Sequence, residues 1–407
     1  MKNLSVPSIS ISAHSELLEA LSVTDRALLI EHLQGRMQAR QSRVDLRIVY
    51  DILNKCNLRC EGCSTAPSFV PTNSPLPGSL SPSGPSIMGT IDALEDFTRT
   101  QSLRASIVFG GGEPFLRADL PEIARRATRA WGPANVGVDT NGNVRQQAAV
   151  IEALLPSLGY LGVSVDGPEI YHDQWRGVLG SYRRAVSLLS DISGLPGAKR
   201  ILEVTSVATT NNLQLLPLLV RTLAGFGVAN YSVHRAMPVG RMHSRQHLIP
   251  SAAEYLHLTI DLIKACNAEG VNFHIHHTLE SIYASLLLQV DTRVDSAFGN
   301  PDQGSSIGIT PDGRVVYDPW SMRRPWRTLR GGPMSSALLE RALQRPKIAT
   351  DIAHLDAKCH GCPVPCSGGS RIAAAVEELS GRSVSPPDLL ISMETARDPA
   401  CPLDQAL

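Results

Sequence analysis

The sequence lacks any excess of charge: 38 Lys and Arg stand against 38 Asp and Glu, and the basic residues form no cluster. That balance argues against nucleic acid or an anionic membrane as the main partner. No apolar run reaches the ~18 residues that a membrane-spanning helix needs. The opening stretch, MKNLSVPSISIS, is too polar and too broken by proline to serve as a secretory signal. A cytoplasmic protein is expected, in which thiols stay reduced and cysteines bind metal or catalyse more often than they pair. Cysteine is also scarce, with eight in 407 residues. A chain of that length can bury a large core without disulfides and has room for two or three domains.

The few cysteines are bunched. Cys56, Cys60 and Cys63 crowd near the start; Cys359, Cys362 and Cys366 crowd near the end, with Cys401 beyond them, and Cys266 stands alone. A disulfide framework would spread them differently, so the bunching points to two metal sites. Cys266 lies in a helical pattern, KACNAEG, and reads as a packed, inert thiol.

Three stretches can be told apart. Residues 1–44 form a leader with apolar residues at helical spacing between Glu16 and Arg43, among them Leu17, Leu21, Leu28 and Leu33. Residues 45–290 alternate strand and helix patterns. The strand candidates are Asp45–Leu53, Ala105–Gly110, Asn135–Asp139, Tyr160–Val165, Ile201–Ala208, Asn230–His234 and Asn272–His276. Helical patterns cover Leu120–Trp131, Val144–Leu155, Tyr182–Ile192, Leu213–Phe226 and Ala252–Ala268. Between Ala66 and Gly89, interleaved Pro, Ser and Gly predict an irregular surface loop. Repeated strand–helix units imply an α/β fold with a parallel sheet, open or barrel-like, whose chemistry sits at the carboxyl ends of the strands. Residues 291–407 are loop-rich apart from one hairpin, Ile307–Tyr317, turning at Pro311-Asp312-Gly313.

The first cysteine group, Cys56-x3-Cys60-x2-Cys63, has no nearby fourth Cys or His. Three thiolates leave a tetrahedral zinc site incomplete, but they suit a cubane iron–sulfur cluster whose fourth iron stays open. On these residues alone, packed core cysteines or a zinc site with a distant fourth ligand remain alternatives. Further motifs follow at strand ends: Gly110-Gly111-Gly112-Glu113-Pro114, Asp139-Thr140-Asn141-Gly142, Ser164-Val165-Asp166-Gly167-Pro168, and His172-Asp173-Gln174-Trp175-Arg176-Gly177.

In their order and spacing these elements resemble the radical S-adenosylmethionine (radical SAM) superfamily. The resemblance implies a partial (β/α)6 TIM-like barrel over residues 45–290, with a [4Fe–4S] cluster on Cys56, Cys60 and Cys63. It further implies that Gly111, Gly112 and Glu113 hold the SAM amino group, and that Thr140, Asn141, Ser164 and Asp166 meet its ribose and carboxylate. A reduced cluster would cleave SAM to a 5′-deoxyadenosyl radical that abstracts hydrogen from a substrate. An electron donor such as flavodoxin or ferredoxin is implied as a partner.

The C-terminal group, Cys359-x2-Cys362-x3-Cys366 with Cys401, resembles the SPASM or twitch extension of these enzymes, a small loop-rich iron–sulfur domain. That extension usually carries two auxiliary clusters. Here the spacer before Cys366 is shortened, Ser370 stands where a cysteine is usual, and Asp318 replaces the hairpin cysteine. The resemblance therefore implies one retained auxiliary [4Fe–4S] cluster on Cys359, Cys362, Cys366 and Cys401, with zinc or a metal-free loop as alternatives. Asp318, beside Tyr317, is a candidate for proton handling.

His274 and His276 share a strand face and are expected to face the interior or the substrate without metal. Arg235 and Arg241 follow a strand end and could meet a carboxylate or serve as surface charges. Three functions are consistent with this reading. The first is modification of a ribosomally made peptide by cross-linking, epimerisation or oxidation. The second is radical chemistry on a small molecule such as an amino sugar, a cofactor precursor or a tetrapyrrole. A non-catalytic iron–sulfur or zinc redox protein ranks well below both, since it leaves the Gly-Gly-Glu-Pro and Ser-x-Asp-Gly elements unexplained.

Overall fold

A computed structural model of the chain describes residues 11–38, 44–70, 86–143, 147–236, 240–275, 277–289, 305–316, 334–337 and 339–340. Its centre is a nine-stranded sheet. The strands are β1 (Leu46–Asp51), β2 (Ala105–Gly110), β3 (Val136–Thr140), β4 (Tyr160–Ser164), β5 (Leu202–Ala208), β6 (Asn230–Arg235), β7 (Asn272–Ile275), β8 (Ser305–Ile309) and β9 (Val315–Val316). Strands β1 to β7 lie side by side in chain order, each parallel to the next. The fold is therefore α/β, and with β8 it has eight parallel strands, two beyond the six of the expected barrel. The predicted hairpin forms as β8 and β9, antiparallel at Gly308↔Val316 and Ile309↔Val315. It extends the same sheet, because β8 runs parallel to β1 from Leu46↔Ser305 to Tyr50↔Ile309.

Alternation decides which face goes where. In β2, Ala105, Ile107 and Phe109 are buried outward, while Ser106 and Val108 on the other face are only half-buried. The outward set packs beneath helices α3 (Ile87–Thr100) and α4 (Leu120–Trp131) through Ile91, Leu94, Ile123 and Ala124. Burial of each large aliphatic there contributes roughly 1.5–3 kcal/mol. The inner face is polar: Tyr160 donates to Asp139 at 2.9 Å, and His274 meets Glu203 at 3.2 Å although β6 lies between their strands. Two strand spacings amount to roughly 9.5 Å, so these side chains meet because the sheet curls toward that face.

Several boundaries differ from the sequence reading for local reasons. The leader is not one helix but two, α1 (Ile11–Glu19) and α2 (Val23–Gln38). Ser22 stops the first and caps the second: its hydroxyl accepts from the Asp25 amide at 3.1 Å and donates to the Asp25 carboxylate at 2.9 Å. Helix α2 braces the open edge of the sheet through Lys264–Asp25 (2.6 Å) and Arg36–Glu280 (2.8 Å), reaching α10 (Ala252–Glu269) and α11 (His277–Leu288). Helix α3 was hidden beside the Pro-rich stretch, although Ser86 caps it and Ile87, Ile91, Leu94 and Phe97 keep helical spacing. Helix α5, described over Gln147–Leu154, yields at Leu154 to a 3-10 turn containing Pro156. The segment after β4 is helical as well, α6 (Glu169–Arg176), and precedes α7 (Ser181–Ser193). The remaining helices are α8 (Ala198–Ile201) and α9 (Leu215–Gly225). Among the described residues no helix is long and apolar enough to cross a membrane.

One consequence of this packing is a pH response. His172 in α6 is fully buried; its Nδ1 accepts from the Asp166 amide at 3.2 Å and its Nε2 has no partner among the described residues. Burial, aided by the charge of Arg176, lowers its pKa to about 4, and burial lowers that of His32 in α2 to about 4 as well. Above pH ~6.5 neither the folded nor the unfolded chain protonates these rings, and they contribute nothing. Between ~6.5 and ~4 the unfolded chain binds protons that the folded chain cannot, so stability falls as pH falls. His172 alone should account for about 3 kcal/mol across that window. Urea titrations of His172→Phe against wild type at pH 7 and pH 4.5 test this: the variant should lose less stability on acidification, and parallel losses would contradict the assignment.

Candidate active site

The loop bearing Cys56, Cys60 and Cys63 springs from the carboxyl end of β1. It is closed at its base by a two-residue parallel ladder, Lys55–Cys56 with Ser68–Phe69, and by the Val70 amide donating to the Cys56 carbonyl at 2.8 Å. All three cysteines are free thiols. Each sulfur faces a donor or a hydroxyl of the chain. Leu58 N lies 3.4 Å and Asn141 Nδ2 3.5 Å from Cys56 Sγ; Ala66 N and Thr65 Oγ1 each lie 3.3 Å from Cys63 Sγ; Arg176 Nη1 lies 3.8 Å from Cys60 Sγ.

Two neighbours hold this loop. On one side the exit from β2 runs against its base, with Gly112 N donating to Leu53 O at 2.6 Å and Glu113 N to Lys55 O at 2.9 Å. Only glycine permits that approach, since a Cβ on Gly112 would sit 1.8 Å from the Lys55 carbonyl oxygen. On the other side α6 meets the loop end-on, its Trp175 and Arg176 carbonyls accepting from Glu61 N (2.8 Å) and Arg59 N (3.0 Å). Trp175 and Met242 close over Gly62 so tightly that a Cβ there would come within 2.4 Å of the indole and 2.9 Å of the sulfur. Arg241 adds a clamp: its amide donates to Cys63 O at 2.9 Å and its Nη1 to Cys60 O at 2.8 Å.

The strand-end motifs converge on the same loop, and several sit behind its wall. Glu113 is completely buried. Its Oε1 accepts from Phe115 N (3.0 Å) and Thr140 Oγ1 (2.8 Å), and its Oε2 from Asn141 N (2.7 Å). Burial pushes its pKa up to about 7 against the pull of these three donors; surrounded by donors alone, the carboxylate form fits. Asn141 carries the connection onward, donating to Asn57 Oδ1 at 3.0 Å and reaching Cys56 Sγ. Asp166 is also fully buried, with Oδ2 paired to Arg176 Nε at 2.6 Å and Oδ1 accepting from Val207 N at 2.9 Å. Both acids thus spend their oxygens on the protein. Ser164 stays half-exposed at the end of β4. Gly111 and Gly112 line a cavity of about 380 Å³ together with Asp51, Asn54, Thr65 and Thr310. That volume is adequate for a small ligand.

Among the described residues no three His, Cys, Asp or Glu side chains converge closely enough to grip one metal ion. A cubane cluster takes each thiolate on a different iron and so needs the sulfurs apart. Burial, with the Glu113 charge second, pushes the Cys56 thiol up to about 12, and burial raises Cys60 against the pull of Arg176. Such thiols ionise when a cationic centre is loaded, and the N–H donors around them suit cluster-bound sulfur.

The other expectations fall out as follows. His274 pairs with Glu203 at 3.2 Å on the inner face, while His276 lies outside the described residues. Cys266 is a fully buried core thiol in α10, raised to about 12 by burial. Arg235 is buried at the end of β6. Asp318, Cys359, Cys362, Cys366 and Cys401 lie outside the described residues. Sequence reasoning gave no role to Trp175, Met242 or Arg176, and left Arg241 between surface charge and carboxylate ligand. The WRG and GRM tripeptides were visible, but nothing in their spacing told which backbone they would meet.

Comparison with known proteins agrees with this geometry. Residues 50–194 match the model of the radical SAM superfamily. A pre-heme d1 synthase of Dinoroseobacter shibae is 24% identical over 392 residues, covering 88% of this chain and 86% of the relative. An Fe-coproporphyrin III synthase of Methanosarcina barkeri is 25% identical over 350 residues, covering 80% and 83%. The structure of Streptococcus suis SuiB bound to S-adenosylmethionine superposes with a TM-score of 0.57 at 14% identity, over 88% of this chain and 79% of that one, a likeness of fold.

Proposed function

We propose that this chain, a radical SAM enzyme that uses a [4Fe–4S] cluster and S-adenosylmethionine, abstracts hydrogen from a tetrapyrrole. The observation that carries the substrate class is the breadth of the curated alignments. Two relatives named for tetrapyrrole products align with more than three quarters of this chain and of their own length. The sequence reading put a peptide first and a tetrapyrrole among the small-molecule alternatives; that order is now reversed. The leader supports the reversal, since its α2 is tied to α10 and α11 as a brace and not set apart to grip a peptide.

In this proposal Cys56, Cys60 and Cys63 ligate three irons. When bound, the cluster and SAM supply reductive cleavage of the sulfonium and removal of a hydrogen atom from carbon. The protein's share is placement and exclusion. Trp175 and Met242 pack over Gly62 and keep water from that side of the loop. Gly111 and Gly112 present bare backbone to the amino end of SAM, and Ser164 offers a hydroxyl to its carboxylate. Glu113, Thr140, Asn141 and Asp166 hold those strand ends in position from behind. Cys359, Cys362, Cys366 and Cys401 are assigned to a single auxiliary cluster, and Asp318 to proton handling; flavodoxin or ferredoxin would deliver the electron.

The test uses the anaerobically reconstituted full chain and a panel of iron porphyrins that differ in their peripheral side chains, each assayed in turn. Binding should shift the Soret band of at least one porphyrin, and with it reductive SAM cleavage should rise several-fold over the substrate-free rate. Unshifted Soret bands across the panel, with SAM cleavage indifferent to every porphyrin, would refute the substrate assignment while leaving the radical chemistry standing.

A further inference from the structure

The three sulfurs differ in the charge of what approaches them. Cys56 meets the Leu58 amide and the Asn141 carboxamide, and Cys63 the Ala66 amide and the Thr65 hydroxyl. All four are neutral. Among the described residues Cys60 alone meets a cation, Arg176 Nη1 at 3.8 Å. That guanidinium is held from behind: its Nε is 2.6 Å from Asp166 Oδ2, with side-chain exposures of 12% for the arginine and 0% for the aspartate. Asp166 is itself immobilised, since Val207 N donates to its other oxygen at 2.9 Å and its own amide donates to His172 Nδ1 at 3.2 Å. A guanidinium is a rigid planar fork, so fixing Nε fixes where Nη1 points. The second arginine at the loop does a different job, because Arg241 Nη1 bonds the Cys60 carbonyl and not its sulfur.

We infer that Arg176 is a positioning residue that raises the reduction potential of the cluster through a charge-assisted N–H···S contact to Cys60, aimed by Asp166. This rests on the reading that the three cysteines hold a [4Fe–4S] cluster. Reduction adds one electron to an already anionic cluster. A cation fixed beside one thiolate stabilises the more negative state more than the less negative one, and burial strengthens the effect. The neutral donors at Cys56 and Cys63 act in the same direction but more weakly.

The test is an anaerobic potentiometric titration of reconstituted wild type, Arg176→Gln and Arg176→Lys, followed by EPR, with iron and sulfide counted in each. Arg176→Gln should make reduction about tenfold less favourable, a midpoint about 59 mV more negative for one electron. Arg176→Lys, which keeps the charge without the fork, should recover part of that loss. Should Arg176→Gln fail to load iron, a second readout decides. Wild type carrying guanidino-15N arginine should show 15N coupling to the reduced cluster in pulsed EPR, and Arg176→Lys should lack it. A midpoint in Arg176→Gln equal to wild type at equal iron content, or no 15N coupling in wild type, would overturn the inference. A wild type with no EPR-active cluster would instead bring down the cluster assignment itself, and this inference with it.

Discussion

Gly112→Ala should yield a folded barrel that loads little or no iron on Cys56, Cys60 and Cys63. The added methyl would stand 1.8 Å from the carbonyl oxygen and 2.9 Å from the nitrogen of Lys55. Both are backbone atoms next to the first cysteine, so no side-chain rotation relieves the overlap. Relief requires the β2 exit to part from the loop, breaking Gly112 N to Leu53 O and Glu113 N to Lys55 O. Two buried backbone bonds and an overpacked contact together cost on the order of 3–5 kcal/mol, most of it in the local geometry of the loop. The sheet beneath is held by other pairings and should persist. Circular dichroism and iron content after reconstitution separate the two effects. Gly35→Ala in α2 is the control, because nothing lies within 4 Å of its added carbon; removing a helical glycine there should stabilise by about 0.5–1 kcal/mol. Full iron loading in Gly112→Ala would mean that the loop does not depend on this close approach.

Glu113→Gln is expected to be nearly as damaging, although it preserves shape. The native carboxylate accepts from Phe115 N, Thr140 Oγ1 and Asn141 N and donates to nothing. A carboxamide brings an NH2 group into a ring of donors, so whichever way it turns at least one backbone N–H is opposed. A buried donor left unpaired costs about 1–3 kcal/mol, and loss of the anionic acceptor adds to that. The displaced group is Asn141, whose carboxamide reaches Asn57 and Cys56 Sγ. The variant should therefore unfold at lower urea and also show an altered EPR spectrum of the reduced cluster. Wild-type stability together with a wild-type spectrum would contradict the proposed role of this network. Loss of SAM affinity alone would restore the sequence-based role, in which Glu113 touches the amino group directly.

The contrast between those two roles marks what the sequence could and could not tell. The order of strand-end motifs placed Cys56, Gly112, Thr140 and Asp166 at one end of one sheet, and the structure puts them there, because a parallel β/α chain delivers each strand end to the same rim. Alternation and helical spacing likewise exposed most strands and helices. The direction each acid faces was not legible. A Gly-Gly-Glu-Pro string looks the same whether its carboxylate points at a ligand or, as here, back toward the amides of Phe115 and Asn141. Arg176 and Arg241 were equally opaque, since their partners lie 116 and 181 residues away in the chain. Helix α3 was missed for a simpler reason: proline and serine just before it set the expectation of a loop, and its cap, Ser86, looked like more of the same.

Mössbauer spectroscopy of 57Fe-reconstituted protein, with and without SAM, tests the central assignment most directly. The account requires three irons on protein thiolates and one without. Adding SAM should move the signal of a single iron in one cluster and leave its other three unchanged, and the Cys60→Ala protein should lack that response. A spectrum in which no iron of any cluster responds to SAM, or zinc on the cysteine trio, would contradict it.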